Sequence, residues 1–311
     1  MQAVLVAVLA AGAVSCGAIK GMALKSVANS LAATGTTITS YDDPDTIEGA
    51  IPFTITLYES MLADVPKHEP LLTATCAIYT QYAFGFIAPK AEVLDFAGDF
   101  TGSQDVNARA LKLAIHGRDL CWRALEVRFR GVSAQLKKDP AAALSRAQRK
   151  HVPLLYWSAA SLGAAISVGG LDRPDLINQW PLVRALAERA LALDETWNDG
   201  ALHELMITVE SQGEALGGSE DRARKHYARA LEIQKGLSPG PHVALAMGVV
   251  KTRQNKAEFE KLMKAALAVD AEKNPAQRLV VLLTQRRAKV LLDNVDNIII
   301  APFYGHVMEA R

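Results

Sequence analysis

Histidine and cysteine are the side chains best suited to chemistry near neutral pH, and this chain spreads them thinly. Its histidines are His68, His116, His151, His203, His226, His242 and His306; its cysteines are Cys16, Cys76 and Cys121. His203-Glu204 opens a phrase like HExxH, in which two imidazoles one helical turn apart hold zinc and the glutamate acts as base. Position 207 is Ile, so the metal pair is incomplete. No Walker phosphate loop or dinucleotide fingerprint occurs. No catalytic residue, metal site or cofactor is therefore expected, and the chain does not read as an enzyme. Each histidine on its own reads as a solvated or hydrogen-bonded structural residue.

The remaining chemistry is apolar recognition. Aromatic residues gather in three phrases: Tyr82, Phe84 and Phe86 in QYAFGFI, Tyr156 and Trp157 in LLYW, and Trp197 in DETWNDGALHE, close to His203. Aromatic walls with a few polar groups suit a small apolar ligand. These seven residues are the candidate ligand-binding set, with His203 or Tyr156 orienting a polar head. Core packing is the competing explanation for each cluster. Gly85, between two Phe residues, costs a helix about 1 kcal/mol relative to Ala and points to a kink, a break or a close contact.

The elements that must position these residues are helices. Ala and Leu dominate, aromatics are 6% of residues, and apolar positions recur with helical rather than alternating spacing. The expected fold is all-α. Basic and acidic residues number 34 and 33, without the surplus of positive charge that a nucleic-acid binder carries. Mean hydropathy is +0.09, high enough to imply apolar surface buried beyond an ordinary core. Asp43 and Pro44 are placed to cap and open a helix.

Small-plus-leucine pairs recur at Met61-Leu62, Ala124-Leu125, Ala190-Leu191, Ala230-Leu231 and Ala266-Leu267. The last three are 40 and 36 residues apart, near the roughly 34-residue period of tetratricopeptide repeats. Ala223, Tyr227 and Ala230 repeat that motif's small–aromatic–small rhythm. Degenerate repeats with extra helices between them are expected. One stretch stands apart: Val152–Ser167 (VPLLYWSAASLGAAIS) has no polar face. It must be enclosed, either as a central strut or as a wall of an apolar cavity or pore.

Residues 1–16 read differently. The apolar run from Ala3 to Val14 ends at Ala13-Val14-Ser15-Cys16. It is short for a membrane span and fits a secretory leader. It resembles a lipobox, implying a signal peptide over 1–15 and acylation of Cys16. Residues 16–40 would be a lipidated helix, with Leu24, Val27 and Leu31 on its apolar side, and a linker. Residues 41–311 would form a single helical domain. Gly17 after the cysteine favours the outer membrane. Cys76 and Cys121 are expected as buried free thiols, with a disulfide left open by the sequence.

Several long phrases together resemble the T-component of TRAP (tripartite ATP-independent periplasmic) transporters. They are DDPDTIEGAIPFTITLYESMLAD, TQYAFGF, DPAAALSRAQRKHVPLLYWSAASLGAAIS, PLVRALAERALALDETWNDGALHELMI, GGSEDRARKHYARALE and QRLVVLLTQRRAKVLL, between Asp42 and Leu292. The resemblance implies a lipid-anchored periplasmic protein with tetratricopeptide-like helices and an apolar pore or cavity. It implies homo-oligomers, and work beside a periplasmic substrate-binding protein on an apolar or amphipathic small molecule such as a fatty acid, sterol-like or other lipid. The rival expectation is a protein-interaction scaffold that docks the binding protein and holds no ligand. His151 stands where the family has Asp, and should cap the following helix poorly. The tail Asn297–Arg311 runs past the family's usual end and should dock.

Overall fold

The computed structural model describes residues 22–33 and 38–300. The expected leader, Cys16, His306 and most of the C-terminal tail lie outside them. Among the described residues the chain is all α, with no strand. The principal helices are α1 (Pro44–Asp64), α2 (Glu69–Gln81), α3 (Phe100–Arg128), α4 (Val152–Gly169), α5 (Trp180–Leu193), α6 (Trp197–Glu210), α7 (Glu220–Gln234), α8 (Gly240–Leu245), α9 (Lys256–Leu267) and α10 (Arg278–Asp293). Helix neighbours in sequence are mostly neighbours in space: α3 packs on α2 and α4, α5 on α4, α6 on α7, and α9 on α10.

Local rules account for the helix starts. The Asp43 carboxylate accepts from the Asp45 and Thr46 amides at 3.0 and 3.2 Å. His68 caps α2, its Nδ1 accepting from Leu71 N at 3.1 Å. His151 makes no side-chain cap on α4, as expected. Its Nδ1 instead accepts from the Gln148 amide at 3.0 Å, and its ring meets Phe129 edge-on.

α4 is the strut. It lies between α3 and α5, and thirteen of its eighteen residues are buried. The stripe Leu155, Ala159, Leu162 and Ile166 is 0–3% exposed, each large side chain contributing about 1.5–3 kcal/mol. A Cβ on Gly163 would sit at 3.7 Å from Val183 Cγ1, so the small-residue face admits α5. Its buried hydroxyls are satisfied within the helix: Ser158 Oγ donates to Leu154 O at 2.7 Å. Two stretches, Glu69–Phe96 and Arg149–Asp172, have the length and apolarity of membrane spans, yet 56% and 67% of their apolar windows are buried inside the fold. Core helices pass the same test.

Apolar packing falls into two clusters that meet at α6. Met206 and Val209 belong to the first, which runs from Ala28 to Leu279, and Ile207 to the second, which runs to Ile299. The repeat anchors Ala124, Ala190, Ala230 and Ala266 are all fully buried. Ile298 and Ile299 dock in the second cluster, whereas Ile300 is 73% exposed. In the helix over residues 22–32 the buried position is Ala28, flanked by Leu24 and Leu31. Val27, expected on the apolar side, is half exposed because it falls a third of a turn away.

The thiol expectation is corrected. Cys76 on α2 and Cys121 on α3 form a disulfide, with Cα atoms 5.5 Å apart. Close approach makes the pairing reachable: a Cβ on Gly117, one turn before Cys121, would meet Tyr79 Cβ at 2.9 Å. Tying positions 45 residues apart restricts the unfolded chain and contributes about 4 kcal/mol.

Candidate functional site

A groove of about 550 Å3 opens between the C-terminal end of α5, the loop at Asp194-Glu195, α6 and α7. Its apolar lining is Leu191, Ala192, Leu193 and Met206; its polar lining includes Glu195, His203, Glu210, Arg222 and His226. Leu191 and Leu193, both half-buried, pack against the first apolar cluster as well as lining the groove. His203 is 5% exposed on α6, opposite His226 on α7.

The polar groups form a chain. Glu195 Oε2 lies 3.2 Å from His203 Nε2, and His203 Nδ1 lies 2.9 Å from His226 Nδ1. Arg229 donates to both Glu195 oxygens, at 2.6 and 3.3 Å, and with His203 holds that carboxyl below the usual range. Burial pushes both imidazoles down, His226 further through repulsion from His203. On the facing wall, Glu210 is 2% exposed and accepts from Arg184 at 2.6 Å and Arg222 at 2.8 Å. Burial acts to raise Glu210, but those two guanidiniums outweigh it and keep the carboxyl low. The charges in the walls are thus paired with one another.

Beside the groove stands a ring cluster. Tyr156 packs against Trp197 at 4.7 Å between centroids and edge-on against Trp157 at 5.1 Å. All three are half-buried. Trp197 is carried by an unusual turn: Asn198, Asp199 and Gly200 all take left-handed backbone angles, with φ of 48, 54 and 77°. Asn, Asp and Gly are the residues that tolerate this region. Gln277 Nε2 donates to Asn198 Oδ1 at 3.1 Å, tying the turn to the segment before α10. Consecutive strained residues collect where function requires them.

The third phrase lies elsewhere. Residues Tyr82–Ile87 are π-helical, so Gly85 marks a local change of winding; its Cα faces open space rather than a close contact. Tyr82 is buried and its hydroxyl accepts from Arg109 Nη2 at 3.0 Å. Phe86 is buried 6.3 Å from the Tyr82 ring. Phe84 is 40% exposed beneath Arg287 of α10, 5.6 Å from the ring centroid, while Arg287 also pairs with Glu92. The structure therefore brings Tyr156, Trp157 and Trp197 together, puts His203 in the groove, and places Tyr82, Phe84 and Phe86 in a separate contact region that joins α3 and α10.

Sequence reasoning missed two groups. His226 was masked by the repeat rhythm, since it sits beside Tyr227 at an ordinary helical position. Glu204 reads in sequence as part of the incomplete zinc phrase and as a polar neighbour of Trp197, with nothing local to mark its burial. The residue is half-buried, its carboxyl lies against Gly240 and accepts from Gln234, and a Cβ on Gly240 would fall 2.1 Å from Glu204 Oε2. Burial pushes Glu204 up to about 7, against the hydrogen bond from Gln234. Burial, and then the Glu204 charge, raises the Tyr156 hydroxyl. The remaining described histidines are structural: His116 pairs with Glu59 at 2.7 Å and His242 lies 2.9 Å from the Tyr227 hydroxyl. Gly236-Leu237-Ser238-Pro239-Gly240 has the spacing of a serine nucleophile elbow. It joins two helices rather than a strand to a helix, and Ser238 Oγ accepts from Gly240 N at 3.2 Å.

The described residues define an all-α helical bundle. A model of the TRAP transporter T-component family matches residues 40–299, and the chain belongs to that family. An uncharacterized protein of Treponema pallidum (strain Nichols) is similar to it, 26% identical over 266 residues covering 83% of this chain and 81% of the relative. Membership assigns a role in TRAP transport, in association with other TRAP components, and a periplasmic or membrane-associated setting.

Proposed function

We propose that the protein is a non-catalytic accessory of a TRAP transporter that holds an amphipathic or apolar small molecule in the groove between α5, α6 and α7. The observation that carries this reading is the groove itself. Its volume, about 550 Å3, falls in the range of small-molecule sites, and Leu191, Ala192, Leu193 and Met206 line it together with mutually paired charges and two imidazoles. The ring cluster of Tyr156, Trp157 and Trp197 lies outside the groove lining, with Trp197 two residues along the chain from Glu195. Lipid, fatty-acid and sterol-like molecules have that shape and polarity. The protein works beside a periplasmic substrate-binding protein, as a homo-oligomer held to the outer membrane through acylated Cys16. The Cys76–Cys121 disulfide suits an oxidising compartment.

One observation favours a scaffold role as a second reading. The outward face of α1, with Phe53 73% and Leu57 37% exposed among Gly49, Pro52, Thr56 and Ser60, carries no charge and could dock the binding protein. The two readings separate in one experiment. Protein incubated with total lipid of the native cell is repurified, extracted with organic solvent and analysed by mass spectrometry, beside Ala192→Trp. Ala192 is an exposed groove residue, so its replacement fills the groove without entering the core. A stoichiometric small molecule on the wild type, lost from the folded variant, is expected. Binding-protein capture by a wild type that retains no molecule would transfer the role to the scaffold.

A further inference from the structure

The hydrogen-bond chain in the groove fixes which nitrogens carry protons. Glu195 is an ionised carboxylate held by Arg229, so it only accepts, and His203 must present N–H from Nε2. With both imidazoles neutral, His203 Nδ1 is then a lone pair. The proton in the 2.9 Å contact belongs to His226, whose Nδ1–H donates to His203. His226 Nε2 is left as a bare acceptor, and no described protein group hydrogen-bonds to it. The charges facing the pair are already paired: Glu195 with Arg229 from α7, Glu210 of α6 with Arg184 of α5 and Arg222 of α7, and Asp194 with Arg149 at 2.8 Å. Glu188, half exposed on α5, is 3.4 Å from Arg184. The groove thus offers no unpaired charge and one imidazole acceptor without a partner among the described protein groups.

We propose, building on the reading of the groove as a small-molecule site, that His226 is the polar anchor: its Nε2 accepts a hydrogen bond from an O–H group of a ligand whose apolar body lies along Leu191, Leu193 and Met206. Glu195 and His203 are positioning residues that set the tautomer. The O–H group has two chemical sources, an alcohol or a carboxylic acid. An alcohol keeps its proton. An acid supplied as carboxylate takes up one proton from solution as it binds, forming the O–H bond of the neutral acid, and that O–H donates to His226 Nε2.

The test uses three probes with one body: 1-decanol, decanoic acid and methyl decanoate, which has no donor. Binding to the full chain is measured by calorimetry at pH 7.5 in buffers of different ionisation enthalpy. Decanol should bind about tenfold more tightly than the ester, the margin of one hydrogen bond, whereas decanoate gains the same bond only by taking up a proton. His226→Leu, checked for folding by circular dichroism, should abolish that margin. Uptake of about one proton with decanoate marks the acid as a competent ligand, and tighter binding of decanol without uptake marks the alcohol. Equal binding of the three probes to both proteins overturns the anchor while the groove remains a small-molecule site. No binding of any probe overturns both. Nitrogen-15 shifts of the imidazoles give a readout independent of ligand: Nε2 of His226 should be unprotonated, and a proton there contradicts the assignment.

Discussion

Glu204→Gln should stabilise the protein in alkaline solution and leave it almost unchanged in acid. The wild-type carboxyl sits against Gly240 and Gln234 with no cation beside it, and burial pushes it from 4.5 up to about 7. A folded-state value above the unfolded one means that the native state binds the proton more tightly. Below pH 4.5 both states are protonated and the group costs nothing. Between 4.5 and 7 stability falls as pH rises, and above 7 the full penalty is present, about 3 kcal/mol at 1.36 kcal/mol per pH unit. A glutamine keeps the shape without the charge. Urea midpoints of variant and wild type, compared at pH 5 and pH 8, isolate this group, because every other titration is common to both proteins. The variant should gain up to about 3 kcal/mol at pH 8 and only a small part of that at pH 5. Equal midpoints at both pH values, or a variant weaker at pH 8, would refute the assignment of a neutral, enclosed carboxyl.

Other expectations follow from the same packing. Cys76→Ser/Cys121→Ser, or reduction of the wild type, should lower stability by about 4 kcal/mol, read as a drop in melting temperature; an unchanged melt would remove the loop-closure argument. Gly200→Ala should cost more than Gly213→Ala, although both glycines have φ of 77°, because only at Gly200 would the new Cβ press on Ile233, at 3.1 Å. The difference should appear as 1 kcal/mol or so in denaturant midpoints. Leu155→Ala in the strut should cost about 2–5 kcal/mol, whereas a small loss would place α4 beside a cavity. Tyr82→Ala should reduce stability and leave small-molecule binding by the remaining folded protein unchanged; a selective loss of binding would return Tyr82 to the site.

The helical class was legible because apolar periodicity and caps such as Asp43 act locally. The apolar all-round pattern of Val152–Ser167 correctly demanded an enclosed helix, and the structure makes it a strut between α3 and α5. Gly85 announced the change of winding at Tyr82–Ile87. The pairing of Cys76 with Cys121 was not legible, since it depends on the approach of two helices at Gly117. Aromatic phrases in sequence looked alike, yet Trp197 meets Tyr156 while Tyr82 turns to Arg109. Which rings converge is set by helix crossing, which no local pattern encodes. His226 was hidden for a similar reason: its meaning comes from His203 across the groove and from Glu195 behind it. The run Asn198-Asp199-Gly200 did carry a readable signal, three residues tolerant of left-handed angles in succession.

The central claim is the location of the ligand. Its most direct test is methyl NMR of the protein with labelled Met, Leu and Ile, titrated with total lipid extract of the native cell. The account predicts shifts at Met206, Leu191 and Leu193, saturating at one molecule per chain. Shifts centred on Leu57 of α1 or Ile87 of the π-helical segment, with the groove methyls unmoved, would contradict it.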